Sequence, residues 1–516
     1  MSVPTTASAV RTGPAYRSAD AAGSAAAPRT HAPAGAAGTG RALARHVVVI
    51  GGGIAGLAAA HRLTGAGLRV TLLESTGRLG GKLRSGEIAG VPVDLGAEAL
   101  RVPRPEAVDL AREVGLGDRL RVPAATDAAL WTRGGLRPIP SCRGRDVLGR
   151  TRTADTYEVS LRAAVPQLFE AARHDGALLT GVRRVRRRTA EQQRRLAEQR
   201  NADARRRVLE REIAEERRLA EQRRIADRPR SGPLIPRPRP EFTRTGTGDR
   251  ATAHTIPDLS RGGPDYLGLD GGAGTLAGAV ADAVRAAGGA ILRNTPALAL
   301  TRTAYGWEVR TAARTLLCDG LVLATPAWTA ATLLAAEAPL AAAELSEVAY
   351  TSMALVTMAF RRSDLAGLTA FDGRCGFLVP PGDGHTIKAS TFLTRKWDWL
   401  SERAKDLFVL RTSIGRYGQE EVLYLDDTDL MGAALRDLGE ATGLAARPVA
   451  TDVTRWIGGL PHYAVGHPAR VTRVRNGLSR LPGLRLCGAA YDGVGVADCV
   501  ASGQRAADEI IATAAA

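Results

Sequence analysis

The stretch His46–Glu74, "HVVVIGGGIAGLAAAHRLTGAGLRVTLLE", decides how the rest of the chain is read. His46–Ile50 is a short β-branched run without polar alternation, the pattern of a strand buried on both faces of a parallel sheet. Glycines follow at Gly51-x-Gly53-x-x-Gly56, and from Ile54 to Leu63 apolar residues recur at helical spacing. Gly67 closes that helix and Arg69–Glu74 is a second strand, which completes a βαβ unit. In such a unit the first glycine makes the tight turn, the second lets a diphosphate approach the backbone and the third allows close helix–strand packing. The helix N-terminus then favours negative charge. Glu74 ends the second strand 18 residues after Gly56, where a carboxylate accepts from ribose hydroxyls. A purely structural turn would not need that carboxylate, so a nucleotide site is the expectation.

Working outward, 516 residues suggest two to four units with ample room for buried cores. A composition of 45% hydrophobic and 24% charged residues is that of a globular protein. The net charge of +17 is concentrated: Arg183–Arg250 holds 22 arginines against 11 acids. Lysine is nearly absent (Lys82, Lys388, Lys396, Lys405), so the arginine count follows a general composition bias and is weak evidence for phosphate binding. The five cysteines are scattered and never in a C-x-x-C pair, which argues against a disulfide framework or zinc site and suits a reducing cytosol. No metal site is expected. Residues 1–44 lack apolar periodicity and a continuous apolar core, and read as a disordered leader rather than a signal peptide. No run of about 18 apolar residues predicts a transmembrane helix, so a cytoplasmic location is expected, with peripheral membrane contact left open.

The charged run from Arg186 to Arg224 repeats "RRLAEQR" at Arg194–Arg200 and Arg217–Arg223. It is rich in helix formers, but its apolar residues keep no sustained heptad, so a solvated single helix is expected. Its cations are interleaved with acids and no aromatic residue lies between Arg183 and Glu241, which leaves no stacking platform for nucleic acid. The proline-rich segment that follows, "DRPRSGPLIPRPRP", ends the helix.

The residues after Glu74 specify the nucleotide. "GRLGGKLRS" (Gly77–Ser85) supplies a second glycine pair with flanking cations, for which an NAD site has little use. At the other end of the chain, "LRLCGAAYDGVGVADCVASGQRAADEI" returns to strand, glycine turn and helix, so the first and last segments are expected to share one domain.

These motifs, with "VDLGAEAL" (Val93–Leu100), resemble the FAD signature of the amine oxidase and protoporphyrinogen oxidase superfamily. Within it, "SLRAAVPQLFEAAR", "SMALVTMAF", "GFLVPP", "TIKASTFLTRKWDWL", "VLRTSIGRYG", "VTRWIGGLPHYAVGH" and "AAYDGVGVADCVASG" are similar to the FAD-dependent coproporphyrinogen III oxidases of bacteria. The resemblance covers roughly residues 46–142, 155–185 and 265–511. It implies an α/β (α+β) fold: a Rossmann-like FAD-binding domain, a discontinuous substrate-binding domain and an inserted charged helix. It also implies oxidation of a porphyrinogen to a porphyrin in heme biosynthesis, with O2 consumed and H2O2 released. Cofactor contacts then fall to Gly51, Gly53, Ile54, Ala55, Gly56, Glu74, Arg78, Gly80, Gly81, Lys82, Gly488, Gly495 and Val496. Lys388, Arg411, Arg416 and Arg455 are candidates for the substrate's carboxylate arms. His462 and His467 are candidates for proton removal, and Trp456 and Tyr463 are expected to pack near the flavin. No side chain is assigned here as an obligate catalytic base, and the resemblance implies that flavin N5 accepts the hydride.

The implied domains are a leader (1–44), FAD-binding segments (45–100, 261–335, 471–516), substrate-binding segments (101–185, 336–470) and the charged insert with its linker (186–260). Between Pro140 and Thr156 the chain is shorter than the family pattern, which would leave one wall of the substrate slot open. Protoporphyrinogen oxidase is the alternative within the class. A degenerate FAD-binding homologue acting as an interaction protein through the insert is the alternative outside it. An amine oxidase is disfavoured because the C-terminal turn lacks an aromatic cage. Contact with a downstream heme-pathway enzyme and the oligomeric state are left open.

Overall fold

The computed structural model describes residues 45–132, 134–138, 265–381 and 383–515, so the leader, the charged run and the segment upstream of it lie outside the described residues. The His46–Ile50 strand is the middle of a five-stranded, all-parallel sheet. The order is Ala290–Leu292, Arg69–Leu73, His46–Ile50, Gly320–Leu323 and Leu484–Leu486. Four separate parts of the sequence therefore build one sheet, and its last strand comes from the C-terminal motif.

Both faces of this sheet are covered, which is why its strands carry continuous apolar runs. Val47 and Val49 pack into a core with the helices Ile54–Gly65, Gly274–Ala286 and Val496–Ala515. Val48 and Ile50 face the other way, toward the antiparallel strands Ala299–Thr303, Gly306–Arg310 and Thr315–Cys318 and the helices Ala327–Leu334, Pro339–Ser346 and His467–Leu478.

Helix Glu106–Glu113 buries Val108 and Leu110 in the first of these cores, and Pro339–Ser346 buries Leu345 in the second. The boundaries expected at 100/101 and 335/336 assign both helices to the substrate-binding segments, whereas their packing is around the parallel sheet.

A second, seven-stranded sheet runs in the order Ala450–Pro461, Tyr350–Arg361, Leu407–Ile414, Ile387–Thr391, Gly376–Leu378, Ala128–Thr132 and Gly135–Pro138. One face packs on helix Asp427–Thr442 through Val356, Met358 and Leu410. The other meets the hairpin Ser85–Ile88 with Val91–Asp94 and the helix Asp398–Ala404. Among the described residues no helix is long and apolar enough to cross a membrane.

Candidate active site

Three glycine turns converge at the C-terminal ends of the parallel strands. Gly51 leaves its strand at φ +113° with its N–H donating to Leu73 O (2.8 Å), and a Cβ there would stand 2.5 Å from Ala324 O. At Gly56 a Cβ would stand 1.9 Å from Gly51 O, so only glycine lets the helix start this close to the strand end. Ile54 and Ala55 form the buried first turn of that helix.

The second turn leans on the first. Gly80 N–H donates to Gly52 O (2.8 Å), and Gly81 lies so close to Gly53 that a Cβ on it would be 3.2 Å from the Gly53 Cα. A Cβ on Gly53 itself would find nothing nearer than 4.0 Å, so its backbone is approachable. The third turn begins at Gly488 (φ +118°), beside Ala55, and leads through buried Gly495 to Val496, the first residue of the C-terminal helix. The predicted cofactor residues from the two ends of the chain are thus neighbours.

The charged groups are arranged differently from one another. Glu74 Oε2 accepts from the Gly52 N–H (2.8 Å) and Oε1 from the Thr76 N–H and hydroxyl (2.8 Å each), which holds the carboxylate over the first glycine turn. Arg78 turns back on its own loop and donates to Leu79 O, Gly81 O and Leu83 O, so it shapes the second turn. Burial lowers its pKa. Lys82 is exposed yet ringed by protein, and it has no hydrogen-bond or ion-pair partner among the described residues. Burial lowers its pKa, partly offset by the Cys499 thiol on the C-terminal helix. An unpartnered ammonium between three approachable backbone turns fits a diphosphate, and a carboxylate over the first turn fits the attached ribose. The residues present therefore fit FAD.

The predicted substrate cations are not brought together. Strand alternation puts Arg411 on the face of Val409 and Arg455 on the face of Val453, which are opposite faces of the seven-stranded sheet. Arg411 donates to Asp94 O (2.8 Å), Gly96 O (3.0 Å) and Glu98 Oε2 (2.6 Å). Arg455 binds the Asp427 carboxylate and the carbonyls of Leu423 and Leu425. Arg416 donates to Val379 O (2.7 Å), and Lys388 is half-buried on the strand Ile387–Thr391. His462 stacks on Tyr417 (centroids 3.9 Å apart, 6° between planes). His467 is buried, with Nε2 donating to Ala490 O (2.9 Å), and burial lowers its pKa.

Sequence reasoning missed the groups that join the two sheets. The buried Asp94 carboxylate accepts from the Ala273 and Gly274 N–H groups (2.8 and 3.1 Å), capping the helix Gly274–Ala286 from a distant segment. Burial pushes its pKa up to about 6, against those two hydrogen bonds. Trp456 Nε1–H donates to Leu95 O (2.9 Å), so three successive carbonyls, of Asp94, Leu95 and Gly96, accept from the seven-stranded sheet. Glu98 lies between Lys396 Nζ (2.5 Å) and Arg411 (2.6 Å), with only 10–12% of each of the three side chains exposed. Burial opposes its ionisation, but the Lys396 and Arg411 charges outweigh that and hold its pKa below the ordinary value. The segment "VDLGAEAL" carries two of these acids, but no local pattern names their partners.

The model of the family described as flavin containing amine oxidoreductase matches residues 54–511. A coproporphyrinogen III oxidase from Mycobacterium tuberculosis is 31% identical over 480 residues, covering 90% of this chain and 97% of the relative. One from Bacillus subtilis is 26% identical, covering 90% and 98%. The crystal structure of an Exiguobacterium sp. 255-15 protein provisionally assigned as a protoporphyrinogen oxidase superposes with a TM-score of 0.62 at 24% identity. It covers 91% of this chain and 99% of that one, a likeness of fold.

Proposed function

The chain belongs to the flavin-containing amine oxidoreductase family, an FAD-dependent oxidoreductase, and from that premise we propose that it oxidises coproporphyrinogen III to coproporphyrin III in heme biosynthesis. The observation that carries the reading is the full-length similarity to coproporphyrinogen III oxidases, which spans both sheets. By comparison, the similarity to a protoporphyrinogen oxidase of Arabidopsis thaliana extends over 18% of the chain.

When bound, FAD supplies a two-electron acceptor that O2 regenerates with release of H2O2. The chain's own part is to hold the cofactor and present the macrocycle. Gly51, Gly53, Gly80, Gly81 and Gly488 offer backbone at close range, Lys82 neutralises diphosphate charge, and Glu74 accepts from ribose. Ile54, Ala55, Gly56, Gly495 and Val496 form the helix starts at either end of the site.

Around Tyr350 the surface is aromatic and open. Trp328 lies edge-on to Tyr350 (4.3 Å) and over Gly458, next to exposed Ile457, and the Tyr417–His462 stack flanks them. A flat apolar macrocycle suits such a face. Arg416, adjacent to this stack, and Lys388 are the cations we assign to the carboxylate arms. We do not assign Arg411, ion-paired with Glu98 and bonded to the Asp94 and Gly96 carbonyls, or Arg455, ion-paired with Asp427 on the opposite face of the sheet, to those arms. We assign His462, stacked on Tyr417, to assist removal of a pyrrole proton.

Each of three two-electron steps removes a hydride and a proton from the macrocycle and converts one O2 to one H2O2. The test is aerobic turnover of coproporphyrinogen III followed by porphyrin fluorescence and peroxide, with protoporphyrinogen IX in parallel. Three peroxides per coproporphyrin, and a higher kcat/KM for the tetracarboxylate substrate, are expected. No porphyrin from either substrate refutes the reading.

A further inference from the structure

The segment "LPHYAVGH" (Leu460–His467) leaves the edge strand Ala450–Pro461 and enters the helix that begins at His467. Its Tyr463 and His467 rings lie on each other, with centroids 4.1 Å apart and 14° between planes. Both then reach across to the same short stretch of backbone. The Tyr463 hydroxyl donates to Ala489 O and accepts from the Gly493 N–H (2.9 Å), and His467 Nε2 donates to Ala490 O (2.9 Å). Because its partner is a carbonyl, His467 must carry its proton on Nε2. These three contacts fall within the turn from Gly488 to Gly493, whose end residues sit at φ +118° and +133°.

On its other side the turn is tied to the C-terminal helix. Gly488 N–H donates to Ser502 Oγ (3.0 Å), Ser502 donates to Asp492 Oδ2 (2.6 Å), and Arg505 on the same C-terminal helix pairs with that carboxylate, whose Oδ1 is held by Arg475 (2.7 Å) from the helix that begins at His467. The turn is therefore fixed from the helix by a polar chain and from the opposite side by two stacked rings.

We propose that Tyr463 and His467 form a clamp that positions the turn Gly488–Val496 against the flavin, so that cofactor retention and the potential of the bound flavin depend on them. The proposal rests on the FAD reading above. It makes both rings positioning residues: the His467 Nε2–H and the Tyr463 hydroxyl, as donor and as acceptor, are engaged by backbone. Substrate recognition is not their task.

The experiment uses the holoenzyme and four variants. Tyr463→Phe keeps the stack and loses two hydrogen bonds; His467→Phe keeps a ring and loses its donor. His467→Gln restores an N–H donor of similar reach. Val471→Ala loosens the same helix, since Val471 is buried there, but removes no hydrogen bond to the turn. Tyr463→Phe and His467→Phe are expected to release FAD roughly tenfold faster and to shift the flavin absorption band and potential, with KM for the porphyrinogen held within about twofold. His467→Gln should recover most of the retention, and Val471→Ala should lower Tm with FAD release unchanged. A parent that holds FAD while both phenylalanine variants match it in release rate, spectrum and potential overturns the clamp alone. Equal FAD release from Val471→Ala also overturns it, by making the effect one of general stability. A parent that purifies without bound flavin and takes up none overturns the FAD reading and the clamp together.

Discussion

Replacing Glu98 by glutamine at neutral pH isolates the ion cluster that joins the two sheets. Glu98 is the anion for Lys396 at 2.5 Å and Arg411 at 2.6 Å, and the three side chains are only 10–12% exposed. Glutamine keeps the volume and a hydrogen-bond acceptor but leaves two cations in a site with little water to screen them. Removing one partner of such a buried pair costs about 3–5 kcal/mol. Arg411 keeps the carbonyls of Asp94 and Gly96, and Lys396 lies 5.2 Å from the Trp397 ring, so the lower end, about 3 kcal/mol, is expected. For a chain of this size that is roughly a 3 °C fall in Tm of the holoenzyme.

The double variant Glu98→Gln/Lys396→Met, which removes one of the stranded charges, should be no less stable than Glu98→Gln alone. Glu98 has a lowered folded pKa, so its contribution is present above the ordinary glutamate pKa and fades as pH falls through the folded value; parent and variant then converge. The measurement is thermal unfolding of parent, single and double variants from acid to neutral pH. A neutral-pH difference below about 0.5 kcal/mol, or one that grows on acidification, refutes the cluster as a structural joint.

Other expectations follow from the same contacts. Asp94 has the opposite sign: its folded pKa is raised to about 6 from 3.8, so its contribution is full at acid pH and is lost as pH rises through 6. Relative to Asp94→Asn, the parent should lose roughly 2 kcal/mol between pH 4 and pH 7, read by denaturant unfolding. Gly56→Ala would set a Cβ 1.9 Å from Gly51 O, and the helix start must shift; FAD retention should fall by at least about a hundredfold, seen as protein that purifies colourless. Lys82→Met should weaken FAD by roughly tenfold or more in a fluorescence titration, with the Tm of the flavin-free protein changed by less than about 2 °C, because Lys82 has no hydrogen-bond or ion-pair partner among the described residues. Arg411→Met should lower Tm while leaving the preference between the two porphyrinogens unchanged, whereas Arg416→Met should raise KM for the tetracarboxylate substrate.

The local sequence determined the strands, the helices and the nucleotide turns, because those depend on near-neighbour geometry. The run His46–Ile50 is apolar at every position since both of its faces are covered, and Gly51 and Gly56 are glycine since a Cβ would strike backbone. The spacing to Glu74 and the return of the same grammar near Gly488 were enough to indicate one nucleotide site built from both ends of the chain. Which cations face a substrate was not legible. Arg411 and Arg455 look alike in sequence, each on a strand among apolar residues, yet their partners, Glu98 and Asp427, come from distant segments on opposite faces of the sheet. Asp94 as a cap for a helix about 180 residues later, and Tyr463 with His467 closing on the carbonyls of Ala489 and Ala490, are likewise long-range pairings. A side chain's type says what it can bond, but which of many equivalent partners it meets is decided only when the two sheets pack against each other.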